Sequence, residues 1–411
     1  MKRSASMIRN ICFADQKWRA RVIVLLFLGT YATLSAQERD NFTFIAIGDA
    51  GYPGPILDQN GAAINGITAS LDKEKNPLDA LVFLGDNFYP IGLNIRPKER
   101  TSLISEVLSP HAYTLLTLGP KNVHAVPGNH DYYCATLGPI PYGRCNEGNV
   151  VEQAIPIWTY YLREPSSVRY PTYSGSPDSV ELIFVDSPMF LLNSESDWHL
   201  QLDTLENLLH ASKVNQGVKW RMMFFHHSPF SAGEHGGFTL WSESKQRIVY
   251  RGCSVGERDN PVKLVQRLAG YHEENCDPHY QNYKDSLFKR IVRSGATIHA
   301  TFGGHDHSLQ LLSQVKRPPG TPGVFVISGA GSKQTGVGSP QVDTSVGMSI
   351  YTHPIIDNHR KGTSIFGFAV GTIEKDKLKL WFIDGATGEP ADMGGASQFF
   401  IDSTGTLVDT R

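Results

Sequence analysis

Five apolar runs of strand type each end abruptly in a short polar cluster. The clearest run starts at Leu81 and breaks after Gly85 into an Asp-Asn-Phe-Tyr cluster. The potential metal ligands of the five clusters are, in chain order, Asp49, Asp86 with Tyr89, Asn129 with His130, His227, and His305 with His307. One strand that ends in Gly, Asp and Asn is equally typical of a simple turn. Five strand ends that offer carboxylate, phenol, amide or imidazole groups predict a two-metal site at the edge of a sheet.

The rest of the pattern predicts an α/β fold. Apolar runs at residues 180–186 and 324–327 add two strands, and residues 367–373 and 377–382 form a predicted hairpin. The predicted helices are residues 62–71, 101–108, 198–211 and 288–292, and a Gly- and Pro-rich loop is predicted at residues 51–61. Strands that alternate with helices favour sheets whose functional loops gather at one edge.

Two stretches are predicted to be insertions in a single domain. Residues 132–173 are aromatic and loop-rich, and residues 243–280 are charged and bracketed by cysteines, so we expect the second stretch over or beside the site. The chain shows no internal repeat and no linker typical of a domain boundary. Residues 37–411 are therefore predicted to form one catalytic domain.

The N-terminal 36 residues have the order of features found in a secretory signal. Residues 1–21 hold six basic side chains against one acidic one, and the apolar run 22–32 is followed by small residues near Ser35 and Ala36. This order predicts a signal peptide over residues 1–36 and an exported protein, which is secreted, periplasmic or in a lysosome-like compartment. A retained anchor is the alternative, but about 15 apolar residues are fewer than the roughly 20 that a span needs, so we do not expect stable membrane insertion.

Charge and cysteine usage narrow the class further. Without residues 1–36 the chain keeps 32 basic and 39 acidic residues, a net charge of −7, and it has no basic stripe. This balance argues against nucleic acid as a partner.

Of the four remaining cysteines, Cys134 with Cys145 and Cys253 with Cys276 bracket irregular segments. In an exported protein these pairs predict two disulfides, with free buried thiols or another of the three connectivities as the alternatives.

The polar clusters suit the hydrolysis of phosphate esters. That reaction needs an activated hydroxide and charge neutralisation on the phosphoryl oxygens, and two metal ions about 3.5 to 4 Å apart supply both. Asp86 is the best candidate for a carboxylate that bridges the two ions. Oxygen ligands from Asp49 and Tyr89 suit a trivalent ion, whereas imidazoles and the Asn129 carbonyl suit a borderline divalent ion. The sequence therefore predicts an asymmetric pair of sites.

The motifs also carry a family resemblance. In chain order they are GDAG from Gly48, GDNFY from Gly85, GNHD from Gly128, HSP from His227 with EHG from Glu234, and GGHDH from Gly303. This set resembles the metallophosphoesterases of the calcineurin-like superfamily, and within them the purple acid phosphatases, most closely the small tartrate-resistant type. The resemblance spans roughly residues 42–383. It implies a four-layer α-β-β-α sandwich with two mixed sheets and a metal site at the carboxyl edge of the strands.

The resemblance further implies a ligand set. Ferric iron, Fe(III), would be bound by Asp49, Asp86, Tyr89 and His307. A divalent iron, zinc or manganese ion would be bound by Asp86, Asn129, His227 and His305. His130 and His235 would lie beside the metals, where they hold the phosphate and assist the leaving group. Because Gly51 stands where many relatives have a metal-binding His, Tyr89 would fill the missing ligand position.

Three positions depart from the family pattern or leave a choice. Ala50 stands where the tartrate-resistant type usually has Trp, which removes an aromatic wall beside Asp49 and affects substrate preference. Because His226 and His227 are strand neighbours that point oppositely, only one should be a ligand. His227 is preferred since it directly precedes Ser-Pro, with the reversed roles as the alternative. Asp306 is expected to brace its loop, and Asn87 to orient the Gly128 loop.

The expected activity is that of an acid phosphatase that hydrolyses phosphate monoesters by attack of a metal-bound hydroxide. A ferric ion acidifies its bound water enough to keep hydroxide available at mildly acidic pH. The expected substrate is a phosphorylated small molecule or a phosphoprotein. A phosphodiesterase or nucleotide-cleaving enzyme on the same scaffold is the alternative, because the sequence does not reveal the shape around the leaving group. An inactive binding protein is a third reading, which the complete ligand set argues against.

Overall fold

Two mixed eight-stranded sheets form the centre of the molecule. The computed structural model describes residues 40–411 with gaps at 138–139, 145–147, 193–194, 234, 236–239, 243–246, 250–276, 315–319, 336, 338–341, 344–347 and 354–364. The strands are β1 (Phe42–Ile47), β2 (Ala80–Leu84), β3 (Val123–Val126), β4 (Tyr133–Leu137), β5 (Ile140–Arg144), β6 (Thr159–Tyr160), β7 (Ser166–Pro171), β8 (Ser179–Phe184), β9 (Val218–Phe224), β10 (Leu240–Ser242), β11 (Arg247–Val249), β12 (Ala300–Gly303), β13 (Leu309–Gln314), β14 (Val324–Ser328), β15 (Val342–Asp343), β16 (Met348–Thr352), β17 (Gly367–Glu374), β18 (Lys377–Asp384), β19 (Phe399–Ile401) and β20 (Leu407–Thr410).

The helices lie between and after these strands. They are α1 (Pro55–Lys73), α2 (Pro97–Leu108), a 3-10 turn (Ser109–His111), α3 (Ala112–Leu118), α4 (Asn129–Tyr132), α5 (Gly148–Val151), α6 (Ser187–Leu192), α7 (Glu195–Val214) and α8 (Pro278–Ser294). Among the described residues, no helix has the length and apolar character that crossing a membrane requires.

Each sheet has a parallel half and an antiparallel half. The first sheet has the order β20-β19-β18-β17-β1-β2-β3-β6, and β1, β2, β3 and β6 run parallel. The second sheet has the order β15-β16-β13-β14-β12-β9-β8-β7, and β8, β9, β12 and β14 run parallel. Parallel strands end at the same edge, so the loops after β1, β2 and β3 in one sheet and after β9 and β12 in the other can hold one site.

Central strands such as β1, β2 and β14 are buried along their whole length because both faces of each sheet are covered. In β1, Phe42, Phe44 and Ala46 point into the core between the two sheets, while Ile45 and Ile47 point to the outer side. On that side α1, α2 and α3 pack against the first sheet. The second sheet has its own outer core, where α7 and α8 bury residues such as Trp198 and Ile291. The layers therefore run α-β-β-α, which confirms the predicted fold class.

All four predicted helices are longer in the structure, and two of them start at least seven residues earlier than predicted. Residues 55–61, predicted as loop, belong to α1, which has Pro55 at its first position, where the missing N–H costs nothing. Gly61 lies inside this helix because a Cβ there would come 2.5 Å from Pro110. The helix predicted at residues 288–292 begins ten residues earlier, at Pro278, and the Asp277 carboxylate caps it by accepting from the backbone N–H of His279 at 2.8 Å.

Several predictions concern parts of the chain that lie outside the described residues. These are the signal peptide at residues 1–36, most of the 243–280 insertion, and the two predicted disulfides. In the other predicted insertion, 132–173, strands β6 and β7 pair with the edges of the two sheets. The boundaries of the catalytic domain stay a prediction.

Candidate metal centre

The five predicted strand ends meet where the two sheets come together. Backbone hydrogen bonds join their loops: the N–H of Asp49 donates to Gly85 O at 3.0 Å, and the N–H of Gly304 donates to His226 O at 2.9 Å. The two sheets are joined here as well: the backbone N–H of His305, after β12, donates to the carboxylate of Asp49, after β1, at 2.8 Å. The site therefore exists only when both sheets are packed.

Three side chains form what we call the oxygen-rich half of the site. The Tyr89 hydroxyl donates to Asp49 Oδ1 at 2.9 Å and lies 3.2 Å from His307 Nε2. His307 Nε2 is in turn 3.4 Å from Asp49 Oδ1. Asp49 and Tyr89 are buried. Two oxygens and one nitrogen thus lie within 3.4 Å of one another.

The nitrogen-rich half consists of Asn129, His226, His227 and His305. The ligand atoms of the three histidines lie within 4.8 Å of one another, and all three side chains are buried. His226 Nε2 is 2.9 Å from Asn129 Oδ1. The Asn129 amide orientation places this oxygen toward the site, because its Nδ2 donates to the Tyr133 hydroxyl at 3.2 Å.

Asp86 lies between the two halves. Its Oδ1 is 3.6 Å from His226 Nε2 and accepts from the backbone N–H of His130 at 2.9 Å. The ligand atoms of Asp49, Asp86 and His226 all lie within 4.8 Å of one another. This is the position that a bridging carboxylate requires.

The two neighbouring histidines have different surroundings, and the difference bears on the preference for His227. His226 Nδ1 donates to Leu84 O at 2.8 Å, so in the neutral ring the Nε2 lone pair faces Asn129 and Asp86. The Ser187 hydroxyl accepts the backbone N–H groups of both His226 and His227. Its own hydrogen is then available to His227 Nδ1, 3.1 Å away, which leaves the proton of His227 on Nε2. The structure thus turns the free lone pair of His226, rather than that of His227, toward Asp86.

His130 lies beside Asp86 and Tyr89, and His235 lies beside His305. His130 Nδ1 donates to Pro90 O at 2.7 Å, which leaves Nε2 facing Asp86 Oδ2 at 3.9 Å. The His235 ring is 4.1 Å from the His305 ring, where a small pocket opens. The Asp306 carboxylate accepts from the backbone N–H of His235 at 2.7 Å and from the Ser231 hydroxyl, so it ties the loop after β9 to the loop after β12.

The loops around the carboxylates are packed without space for extra side chains. A Cβ on Gly128 would lie 2.2 Å from Asp86 Oδ1, and a Cβ on Gly51 would lie 2.4 Å from the Asn87 carbonyl carbon. The second distance means that a histidine at position 51 would force the two loops apart. Asn87 donates to Val126 O at 2.8 Å and to the Asp131 carboxylate at 3.0 Å, which confirms its predicted role in orienting the Gly128 loop.

Three residues of the site backbone adopt left-handed conformations that side chains rarely take. They are Asp49, Asp86 and His305, with φ of 57°, 52° and 70°. Each such conformation costs energy that the surrounding contacts must offset, and such residues cluster at functional sites. All three are candidate ligands.

Sequence reasoning missed four contributors. Asp131 accepts from the backbone N–H groups of Gly128 and Asn87 and so joins two motif loops. Ser187 and Lys333 carry no motif, although Lys333 lies over the Tyr89 ring. Tyr52 is 54% exposed beside Tyr89, so an aromatic surface stands near the position where Ala50 leaves none. Only the acidic residue that ends GNHD offered a signal in the sequence.

Burial and neighbouring charges shift the pKa values of three candidate ligands. Burial raises the pKa of Asp49 to about 7, against the lowering effect of His226. Burial also acts to raise the pKa of Asp86, but attraction to His226 and His130 outweighs it and holds this pKa well below its usual range. Burial and the charges of Asp49 and Asp86 raise the pKa of the Tyr89 hydroxyl well above its usual range.

The donor set fits metal ions. Asp86 Oδ1, Asn129 Oδ1 and His226 Nε2 are three acceptors that face one another, so a cation or a proton must lie between them. In the oxygen-rich half, a cation is the group that can replace the Tyr89 proton beside two buried carboxylates.

The fold and this donor set are those expected of a metal-dependent phosphoesterase. The family model of calcineurin-like phosphoesterases matches residues 42–309, more than half of the chain. The chain belongs to the calcineurin-like phosphoesterase family. It therefore acts on phosphate esters, and the predicted family is confirmed.

Similar proteins refine this assignment. The chain is 25% identical to purple acid phosphatase 7 of Arabidopsis thaliana over 329 residues, which are 72% of this chain and 82% of that protein. It is 26% identical to purple acid phosphatase 17 of the same plant over 313 residues, 72% of this chain and 70% of that protein. These two relatives confirm the predicted resemblance to purple acid phosphatases.

A solved structure supports the fold alone. "GAP50 the anchor in the inner membrane complex of Plasmodium" aligns with a TM-score of 0.51 over 85% of this chain and 87% of that chain. The two sequences are 13% identical. The two proteins therefore share the sandwich fold, but so low an identity carries no information about activity.

Proposed function

We propose that this chain is an exported acid phosphatase that hydrolyses phosphate monoesters with a pair of metal ions. The observation that carries the proposal is the position of Asp86 between the oxygen-rich and nitrogen-rich halves, within 4.8 Å of ligand atoms of Asp49 and His226. Two donor sets of different character that share one carboxylate suit two different ions.

The proposed ligands follow from the two halves. Asp49, Asp86, Tyr89 and His307 would hold Fe(III), and Asp86, Asn129, His226 and His305 would hold a divalent iron, zinc or manganese ion. We prefer His226 to His227 here because its Nε2 lone pair faces Asn129 Oδ1 at 2.9 Å. When bound, the two ions lower the pKa of the attacking water and neutralise charge on the phosphoryl oxygens.

His130 and His235 contribute the proton chemistry and the binding of the phosphate. The hydrogen bond from His130 Nδ1 to Pro90 O fixes the ring so that Nε2 faces the site. Nε2 can then hold a phosphate oxygen or pass a proton to the departing oxygen. His235 lines the small pocket together with His305. Two imidazoles with different neighbours can serve the phosphate and the leaving group separately.

Activity with two substrates tests the proposal. The purified full chain, loaded with iron and zinc and analysed for metal content, is assayed on an aryl phosphate and on the bis-aryl diester. We expect faster turnover of the monoester and two metal ions per chain. Faster turnover of the diester would establish a phosphodiesterase instead. A protein that holds both metals and cleaves neither substrate would be a binding protein.

Export rests on the sequence of residues 1–36. Expression with and without these residues, followed by N-terminal sequencing of the mature protein, tests it. A start of the mature protein near residue 37 is expected. Retention of the segment in membrane fractions would support the anchor alternative.

A further inference from the structure

Lys333 is held beside the metal centre by a segment that no motif covers. Residues 329–335 follow β14 and are hydrogen-bonded to two ligand loops. The N–H of Gly331 donates to Gly48 O at 3.1 Å, and the N–H of Thr335 donates to His307 O at 2.8 Å. Between these points the Ser332 hydroxyl donates to the backbone carbonyl of Asp49. The backbone of Lys333 is therefore fixed relative to both Asp49 and His307.

The ammonium of Lys333 lies over the aromatic face of Tyr89. Its Nζ is 3.2 Å from the centre of the Tyr89 ring and 5.7 Å from that of Tyr52. The residue is half-buried, and it forms no ion pair with any residue that the structure describes. Asp49 and Asp86 are close enough for their charges to act on it. A half-buried ammonium held at such a place without an ion-pair partner is free to bind an anionic ligand.

Phosphate is the anion that this position suits. An ammonium is a compact point charge that binds phosphate oxygens well. A phosphate monoester carries up to two negative charges and a diester one, so a fixed cation at the site favours the monoester. We propose that Lys333 binds a non-bridging phosphate oxygen of the substrate and so makes the site prefer doubly charged monoesters. This inference rests on the proposed phosphatase function.

The test compares three lysine variants of the full, metal-loaded chain. Lys333→Gln removes the charge, and Lys333→Arg keeps it. Lys379→Gln is the matched control, because Lys379 also lies over an aromatic ring, that of Trp381 at 5.3 Å, but on β18 and outside the site. For each variant, KM and kcat are measured on the aryl phosphate and the bis-aryl diester. The binding of inorganic phosphate is measured by calorimetry, and the metal content and visible spectrum are recorded.

A charge-assisted contact of this kind predicts a clear change in binding. In Lys333→Gln, KM for the aryl phosphate and Kd for inorganic phosphate should rise about 10- to 100-fold. The diester KM should change less than about threefold, and kcat and metal content should stay close to those of the unaltered protein. Lys333→Arg should recover most of the binding, and Lys379→Gln should match the unaltered protein.

Other outcomes would overturn the proposal. Unchanged KM and phosphate Kd in Lys333→Gln would remove Lys333 from substrate binding. Equal losses on both substrates would remove its role in specificity. An altered visible spectrum with unchanged binding would mean that Lys333 acts on Tyr89 alone. If the unaltered chain cleaves neither substrate, the proposed function fails, and phosphate calorimetry still decides whether Lys333 binds the anion.

Discussion

The two halves of the metal centre differ in the atoms they present and in how those atoms are held. In the oxygen-rich half, Asp49, Tyr89 and His307 contact one another directly at 2.9 to 3.4 Å. In the nitrogen-rich half, His226 Nδ1 donates to Leu84 O, and His227 Nδ1 accepts from the Ser187 hydroxyl. The side chains of the first half are therefore held by contacts with one another. The two histidines of the second half are held by Leu84 and Ser187, which are not candidate ligands. We therefore expect the halves to differ in metal choice and in response to mutation.

The largest effect should come from the carboxylate that both halves share. Asp86→Ala should lower turnover on the order of 10⁴-fold or more and release both metal ions, since neither half keeps its full donor set. Metal analysis and kcat measure this, with Asp58→Ala on the exposed surface of α1 as the control. Retention of one ion at full occupancy would show that Asp86 belongs to a single half.

A matched pair of substitutions tests which of the two neighbouring histidines of the nitrogen-rich half binds the divalent ion. His226→Ala should remove the divalent ion and lower turnover about 10²- to 10³-fold, because its lone pair faces Asp86 and Asn129. His227→Ala should keep both ions, since the Ser187 contact leaves a proton on His227 Nε2. The opposite result would restore His227 as the ligand, as its place before Ser-Pro suggests.

His130 and His235 should affect turnover without affecting metal content. Each lies beside one half, and replacement by Ala should lower kcat by about 10² to 10⁴, the usual contribution of a positioned acid or base. Metal analysis of the same samples separates this role from that of a ligand. Loss of an ion from either variant would move that histidine into the coordination set.

The smallest effect on rate, but the sharpest on colour, is expected for Tyr89→Phe. A phenolate bound to ferric iron has filled orbitals close in energy to empty metal orbitals, so the unaltered protein should be purple or violet. The variant should lose the visible band and hold the trivalent ion less firmly, while the divalent ion stays. A colourless protein that is fully active with zinc or manganese alone would count against Fe(III) in the oxygen-rich half, but not against a phosphoesterase.

Much of the fold could be predicted because its strands are buried on both faces. In a run such as Phe42–Ile47, alternate apolar side chains enter two different cores, one on each face of the sheet. Each such run ends in residues typical of a turn. Helix α8 was partly missed because its tyrosines and charges resembled an exposed insertion. The signal was nevertheless present: Asp277-Pro278 marks the start, and Tyr280, Tyr283, Leu287 and Ile291 form its buried face.

The site was predictable where a ligand follows its strand directly, and less so elsewhere. Alternation along a strand predicts that His226 and His227 point to opposite sides, which is wrong: both follow the end of β9 at Phe224, and their ligand atoms lie within 4.8 Å of each other. The pattern also cannot show which ring turns its lone pair toward the carboxylates. That depends on two residues distant in the chain: Leu84 is 142 residues from His226, and Ser187 is 39 residues from His226 and 40 from His227. Lys333 could not be predicted either, because its place beside Tyr89 also depends on residues distant in the chain. Only the packing of residues 329–335 on two other loops brings it there.

The left-handed backbone at Asp49, Asp86 and His305 has an evolutionary consequence. Glycine would relieve strain of about 1 to 3 kcal/mol at each position and, at the first two, would also remove a buried carboxylate. The most stable version of this fold is therefore not the active one. A lineage freed from the need for catalysis would gain stability by losing its ligands. Within this family, unusual heat resistance together with glycine at these positions would mark a descendant that has given up its chemistry.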